Sequence, residues 1–247
     1  MSHPRCDVTL VVPTFNEAGN IVRLLDKIEE AVDAATTEVL FVDDSSDDTP
    51  DRILDQSEIR DLPVRLLHRD DAVGGLAGAV VAGMRDARGH WVVVLDADLQ
   101  HDPATIPAVL RQAQTSGADV VVASRNIPGG SSSGLETRVR RLVSHVSTTV
   151  AKMLFPRRLR QCSDPMSGFF AVRRSAVDLD ALAPTGFKIL LEILVRTSPR
   201  VAEVPLAFGE RHDGESKAGL ANGLAFAHQL VTLRTHRQAR PVAGVRR

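Results

Sequence analysis

The 247-residue chain is 43% hydrophobic and 25% charged, so it can bury a full core and fits one large α/β domain better than two small ones. Its formal net charge of −1 argues against bulk nucleic-acid binding, and its two distant cysteines, Cys6 and Cys162, exclude a disulfide framework and a zinc-type ligand spacing. The first residues carry no apolar signal-peptide core and no segment reaches the roughly 18 apolar residues of a membrane span, so a soluble or peripheral protein in a reducing compartment is expected.

The first half alternates strands and helices. A strand over Asp7 to Pro13 precedes a helix from about Glu17, and a strand over Glu38 to Val42 precedes a helix near Thr49 to Ser57. Val64 to His68 is a third short strand. A helix over Gly75 to Ala87 leads to a strand over Val92 to Leu95, and a helix over Pro103 to Ser116 leads to a strand over Ala118 to Ala123. Repeated βα units of this kind predict a mostly parallel sheet with helices on both faces.

Ile127 to Gly134, containing Pro-Gly-Gly-Ser-Ser-Ser-Gly, reads by composition as a flexible linker or lid. Beyond it Val139, Leu142, Val143, Val146, Val150 and Leu154 recur at helical spacing, with Arg138, Arg140, Arg141 and Lys152 interleaved. A helix packed on the sheet is expected there in preference to one touching a membrane. Leu220 to Thr235 repeats the pattern with Leu220, Leu224, Ala227 and Val231. All charges from Ser216 onward are basic, which favours an interfacial role for that segment.

The apolar run Val92 to Leu95 stops abruptly at Asp96-Ala97-Asp98-Leu99-Gln100-His101-Asp102-Pro103. Paired carboxylates at the carboxyl end of a strand can hold Mg²⁺ or Mn²⁺ together with substrate phosphates, and that edge is where open α/β sheets bind ligands. The alternative is a polar loop whose Asp caps the next helix. Two further loops follow strands and gather at the same edge, Pro13-Thr14-Phe15-Asn16-Glu17 and Asp43-Asp44-Ser45-Ser46-Asp47-Asp48. Glu17 and Asp44 are candidates to accept hydrogen bonds from a base and a ribose, whereas Asn16, Asp47 and Asp48 read as helix caps.

With these blocks in place, the chain resembles the dolichol-phosphate (polyprenol-phosphate) mannosyltransferases, inverting nucleotide-sugar glycosyltransferases of the GT-A fold. The resemblance continues through Ser124-Arg125, Asp164-Pro165-Met166-Ser167-Gly168-Phe169-Phe170, Gly186-Phe187-Lys188-Ile189-Leu190-Leu191-Glu192 and Gly214-Glu215-Ser216-Lys217, in order from about Val8 to Lys217. It implies a GT-A (Rossmann-like) α/β domain over 1–217, with a mostly parallel central sheet, followed by a basic amphipathic helix and tail over 218–247. Carried onto matching positions, it implies that Pro13, Phe15, Glu17, Val42 and Asp44 hold the donor nucleoside, with the Ala97 backbone alongside. Asp96, Asp98 and Gln100 hold Mg²⁺ or Mn²⁺. Arg125, Arg140, Ser144 and Arg211 meet the acceptor phosphate, and Lys188 and Lys217 complete the cationic contacts. Catalytic weight falls on Asp98, Arg125 and Arg211.

The implied reaction moves a hexose, foremost mannose from GDP-mannose, onto a polyprenyl phosphate at the cytoplasmic face of a membrane, with peripheral membrane contact and no nucleic-acid partner. The alternatives are glucose or another hexose from a UDP-sugar, and a catalytically silent nucleotide-sugar-binding module. A phosphate monoester has a second pKa of about 6, so the acceptor is mostly dianionic at neutral pH and attacks without a protein general base. For Arg125 the competing reading is an ion pair with a nearby Asp. Arg140 and Ser144, four apart, share a helix face that Arg141 does not. Gly168-Phe169-Phe170 reads as core, and Asp164-Pro165 also reads as a turn. The chain departs from the family pattern in having Phe15 where Tyr is usual, and in lacking a Lys within the Gly-rich segment Arg69 to Ala79.

Overall fold

The computed structural model describes residues 6–134, 138–184, 188–209 and 220–235. In chain order the strands are β1 (Val8–Thr14), β2 (Thr37–Asp43), β3 (Val64–His68), β4 (Trp91–Val94), β5 (Val120–Ser124), β6 (Phe170–Arg173) and β7 (Val201–Pro205). The helices are α1 (Ile21–Ala31), α2 (Thr49–Ile59), α3 (Gly75–Asp86), α4 (Ile106–Thr115), α5 (Arg138–Leu154), α6 (Ile189–Thr197) and α7 (Leu220–Thr235). The strands form one sheet in the order β3-β2-β1-β4-β6-β5-β7. All pairings are parallel except those of β6, which runs against both β4 and β5.

Alternation along each strand divides the core into two layers. Leu10, Val12, Phe41 and Val93 face the layer built with α1, α2 and α4, while Val11, Leu40, Val42 and Val92 face that of α3, α6 and α7. On α1 the fully buried Ile21, Leu24, Leu25 and Ile28 fall at i, i+3, i+4 and i+7, one stripe of a 3.6-residue period. Shortening any of them to Ala removes about 2–5 kcal/mol of stability. On the opposite face α3 lies so close to the sheet that a Cβ on Gly83 would come within 2.5 Å of Val11 and 2.9 Å of Val42.

The parallel βα half matches the expected elements closely, although α1 begins at Ile21, after a turn that follows Glu17. The reversed β6, together with α6 and β7, was not anticipated. A second difference concerns α5. Its apolar stripe of Leu142, Val143, Val146 and Val150 faces outward with Met153, and the helix meets the core through Thr148, Ala151 and the adjoining Phe155. Periodicity locates an apolar face but not what that face meets. The helix does pack inward as expected, but of the described stripe residues only Leu154 joins that contact, and the rest of the inner face comes from residues off the stripe.

The stripe expected of α7 also points outward, with Leu224 and Val231 exposed, while Leu230 and Leu233 on another face pack into the core. This helix is apolar on two sides and so is not the one-sided amphipathic element expected. Among the described residues no helix is long and apolar enough to cross a membrane.

Candidate active site

The carboxyl ends of the parallel strands line one edge of the sheet. The amino end of reversed β6 joins them, because Phe170 pairs with both Val94 and Val122. At the β1–β2–β3 side, the buried Asp43 carboxylate ties three strand ends together. It accepts from Thr14 Oγ1 at 2.7 Å and from Ser45 Oγ at 2.6 Å, and its other oxygen lies 2.9 Å from His68 Nδ1. Asp44 is held in a fork by Arg69, whose Nε and Nη2 donate at 2.8 and 2.6 Å. The same guanidinium donates to the Val73 and Gly75 carbonyls, and so shapes the Gly-rich turn. A carboxylate offers about four lone-pair sites, so Asp44 keeps acceptor capacity for a ligand that it would share with Arg69.

Phe15 is half-exposed beside this edge. Glu17 accepts from Asn20 Nδ2 at 2.7 Å. Asn16 does not cap a helix: with φ of 58° it bridges two loops, its amide donating to Ser45 Oγ at 2.7 Å and its Oδ1 accepting from the Ser46 amide at 3.1 Å. Asp47 does act as a cap, accepting from the Thr49 amide at 3.0 Å, whereas Asp48 stands at the N-cap position without a side-chain bond. Pro13 and Val42 are buried within their strands, and the Val42 side chain is core against Gly83. Only its backbone is left for the donor contact expected of it.

After β4, Asp96 is partly exposed and Asp98 is buried, its Oδ1 accepting from the Gln100 amide at 3.1 Å. Leu99 takes a left-handed φ of 63°, which folds the acids and Gln100 into a tight loop. The helix-capping role belongs to Asp102, which accepts from the Ala104 amide. His101 is enclosed between Phe169 and Phe208, with ring centroids 5.5 and 5.4 Å away. Its Nδ1 accepts from the Asp96 amide at 3.1 Å, which assigns the ring proton to Nε2. Burial pushes the His101 pKa down, against the opposing charges of Asp96 and Asp98.

Arg125, at the end of β5, forms a bidentate pair with Asp164 at 2.7 and 2.8 Å, and the same carboxylate accepts its backbone amide at 3.1 Å. The ion pair considered for Arg125 is thus present, and Asp164 is a site carboxylate that sequence reading passed over as a turn. Burial alone would raise the Asp164 pKa, but the hydrogen bonds and charge of Arg125 outweigh it and hold the carboxyl below its ordinary value. The turn bearing Asp164 is anchored by Glu203 of β7, which accepts from the Ser163 amide at 2.9 Å and hydroxyl at 2.8 Å. Lys188 donates to the Met166 carbonyl at 3.2 Å, and burial, reinforced by Arg125, lowers its pKa to about 8. Asp96, His101, Arg125, Lys188 and Phe208 line a common cavity of ≈ 110 Å³.

Gln100 is buried, and its Nε2 donates to the carbonyls of Gly209 at 3.2 Å and Gly134 at 3.4 Å. The segment expected to be a flexible linker is pinned here. Ser131 donates its amide to Leu206, Phe208 donates back to Ser131, and Gly134 donates to Phe208, at 2.9 to 3.1 Å. Backbone pairing with residues after β7 overrides the loop-like composition.

Among the described residues no three His, Cys, Asp or Glu side chains cluster as a metal cage. The donor set is instead two carboxylates and an amide, all hard oxygen ligands, which suits a cation that keeps positions for phosphate oxygens and water. Gly168 supplies room beside it, since a Cβ there would lie 3.0 Å from Asp96 Oδ2 and 2.9 Å from His101. Ser144 is half-buried on the inner side of α5, four residues after Arg140 in the same helix. The Arg140 side chain, Arg211 and Lys217 lie outside the described residues.

A parallel strand edge carrying paired acids over an α/β sheet defines the GT-A class of glycosyltransferase folds. Glucosyl-3-phosphoglycerate synthase from Mycobacterium tuberculosis, solved with Mn²⁺, UDP and phosphoglyceric acid, matches with a TM-score of 0.66 and 22% identity over 92% of this chain and 77% of that one. The UDP complex of that enzyme matches at 0.65 and 23%, over 93% and 79%. At such identity the likeness establishes the fold. The chain belongs to glycosyl transferase family 2, whose model matches residues 9–179.

A dolichol-phosphate mannosyltransferase of Pyrococcus furiosus is 38% identical over 213 residues, covering 85% of this chain, which spans 58% of that protein's length. The dolichol-phosphate mannosyltransferase of Saccharomyces cerevisiae is 33% identical over 92% of this chain and 86% of its own. An undecaprenyl-phosphate mannosyltransferase of Micrococcus luteus is 33% identical over 85% and 86%.

Proposed function

We propose that this glycosyltransferase moves mannose from GDP-mannose onto a polyprenyl phosphate, with inversion, at the cytoplasmic face of a membrane. The observation that carries the reading is the convergence of Asp96, Arg125 and the partly buried Lys188 on one cavity, with Asp98 and Gln100 buried in the adjoining loop. Two phosphorylated substrates need such an arrangement: hard oxygen ligands toward the donor diphosphate, and fixed cations toward both anions. The names of the relatives support the same acceptor class and the same sugar.

In this reading Asp96, Asp98 and Gln100 hold Mg²⁺ or Mn²⁺, which when bound supplies positive charge to the departing nucleoside diphosphate. Lys188, with a pKa of about 8, is mostly cationic at neutral pH and adds positive charge beside Arg125. Asp164 orients the Arg125 fork before the acceptor arrives, so little reorganisation remains at the moment of reaction. His101 holds the first turn of the acidic loop through the Asp96 amide. The dianionic acceptor attacks unaided by a base. Arg140 and Arg211 extend the cationic contacts to the acceptor phosphate, Ser144 adds a hydroxyl donor to it, and Lys217 joins Lys188.

Peripheral membrane contact is supported by the outward apolar stripe Leu142–Val143–Val146–Val150 of α5, flanked by the exposed Arg141, Arg157 and Arg160. An apolar stripe rimmed by cations suits an anionic lipid surface. The test is direct. Purified protein is incubated with Mn²⁺ or Mg²⁺, a polyprenyl phosphate, and separate GDP- and UDP-linked radiolabelled hexoses. Lipid-extractable label with GDP-mannose alone is expected. Label from a UDP-sugar instead would replace the donor, and tight nucleotide-sugar binding without transfer would identify a silent module.

A further inference from the structure

We propose that Gln100 is a positioning residue whose carboxamide ties the acidic loop to the two chain segments that lead into the acceptor side. Residues 131–134 and 206–209 extend the β5–β7 pairing past Ser124 and Pro205 through the backbone bonds described above. At the tip of this extension both outermost carbonyls, Gly134 and Gly209, face Gln100 Nε2, and the Gly209 amide returns to the Gln100 carbonyl at 2.9 Å. The junction has no spare room. A Cβ on Gly134 would lie 1.8 Å from the Gly209 oxygen, so a side chain there would force the two segments apart.

The chemistry fixes which way the amide points. Two carbonyl oxygens can be satisfied only by N–H groups, so the nitrogen faces the two segments and the oxygen is the atom left for another partner. The Gln100 amide meanwhile donates to Asp98 Oδ1. One residue therefore touches the expected metal ligand Asp98 with its backbone, and both segments with its side chain. From Gly134 three residues lead to α5, which carries Arg140 and Ser144, and from Gly209 two steps reach Arg211. Any displacement of the loop at 96–100 therefore bears directly on residues 131–134 and 206–209. The functional consequence rests on the mannosyl-transfer reading: an ordered donor loop keeps the acceptor contacts in register. The mechanical coupling stands on the geometry alone.

Gln100→Glu separates the two ends of the side chain. It keeps a hard oxygen ligand but replaces both N–H donors with an oxygen facing two carbonyls. Amide hydrogen exchange of the metal-free protein at Gly134, Phe208 and Gly209 is expected to quicken about tenfold, the equivalent of one or two lost hydrogen bonds. Mn²⁺ binding in the presence of GDP is expected to persist, while the KM for the polyprenyl phosphate rises about tenfold and that for the donor changes little.

Gln100→Met, which keeps the volume and loses both functions, is expected to quicken exchange and to weaken Mn²⁺ together. Exchange in Gln100→Glu equal to that of the unsubstituted protein overturns the proposal, as does loss of Mn²⁺ binding with the segments unchanged. If the unsubstituted protein transfers no sugar from any donor, the functional reading falls, and the exchange comparison still decides the coupling.

Discussion

The two sides of the sheet edge are held by different physics. On the side proposed for the donor, Asp43 gathers Thr14, Ser45 and His68 while Asp44 is held by Arg69, and these contacts cross-tie the loops after β1, β2 and β3. On the side proposed for the acceptor, α5 and α7 turn apolar faces to the outside, beside fixed polar contacts that include the Arg125–Asp164 pair with its Glu203 anchor and the Gln100 carboxamide. A nucleotide is polar and always the same shape, so a prebuilt hydrogen-bonded pocket suits it. A long-chain lipid phosphate offers one charged group and a flexible apolar tail, which suits a few fixed cations above an apolar surface.

The largest effect should come from the loop shared by both sides. Asp98→Ala is expected to reduce metal-dependent transfer to background, a loss of about a thousandfold or more if the metal supplies several kcal/mol, as read by lipid-extractable label. Full metal-dependent activity in that variant would remove the acidic loop from the mechanism. Next comes the acceptor-side ion pair. Asp164→Ala strands the largely buried Arg125 and is expected to cost about 3–5 kcal/mol in urea unfolding. Because the Asp164 pKa is depressed in the folded state, its stabilisation is present above the unfolded carboxylate pKa and lost as pH falls through the folded value. Asp164→Asn should therefore flatten the acid limb of the stability curve.

A smaller effect concerns Lys188. Its proton leaves as pH rises through about 8, so binding of GDP to the metal-free protein should weaken across that range, and Lys188→Arg should abolish the dependence. The sign for stability is opposite. Between about 8 and the ordinary lysine value of 10.5 the unfolded chain holds more protons, so stability rises with pH there. The smallest effect on the fold should come from the outward stripe. Val146→Asp is expected to change unfolding free energy by no more than about 0.5 kcal/mol, yet to reduce co-sedimentation with anionic vesicles. Unchanged vesicle binding would leave the α5 stripe without a lipid role.

The donor side was the more legible in the sequence for a physical reason. Its strands β1 and β2 are buried on both faces, its helices follow at regular spacing, and its acids sit where an apolar run stops, so period and position coincide. The acceptor side depends on contacts between residues far apart in the chain. Asp164 meets Arg125 across 39 positions, and Gln100 meets Gly209 across 109, neither of which any local pattern announces. Phe208 and His101 share a ring contact for which the sequence offered only an isolated aromatic and a lone histidine. The stripe on α5 was found correctly and oriented wrongly, because a 3.6-residue period is the same whether the partner is a sheet or something outside the protein.

The reversal of β6 has an architectural consequence. In a wholly parallel sheet every loop at the ligand edge departs from a strand and must be long enough to cover a helix before the chain returns. An inverted strand lets one segment arrive at that edge instead, so residues 162–168 are wired to the site from the opposite direction. In the proposed reading that segment is the natural place for divergence: its length and chemistry can change without altering any of the βα connections assigned to the nucleotide.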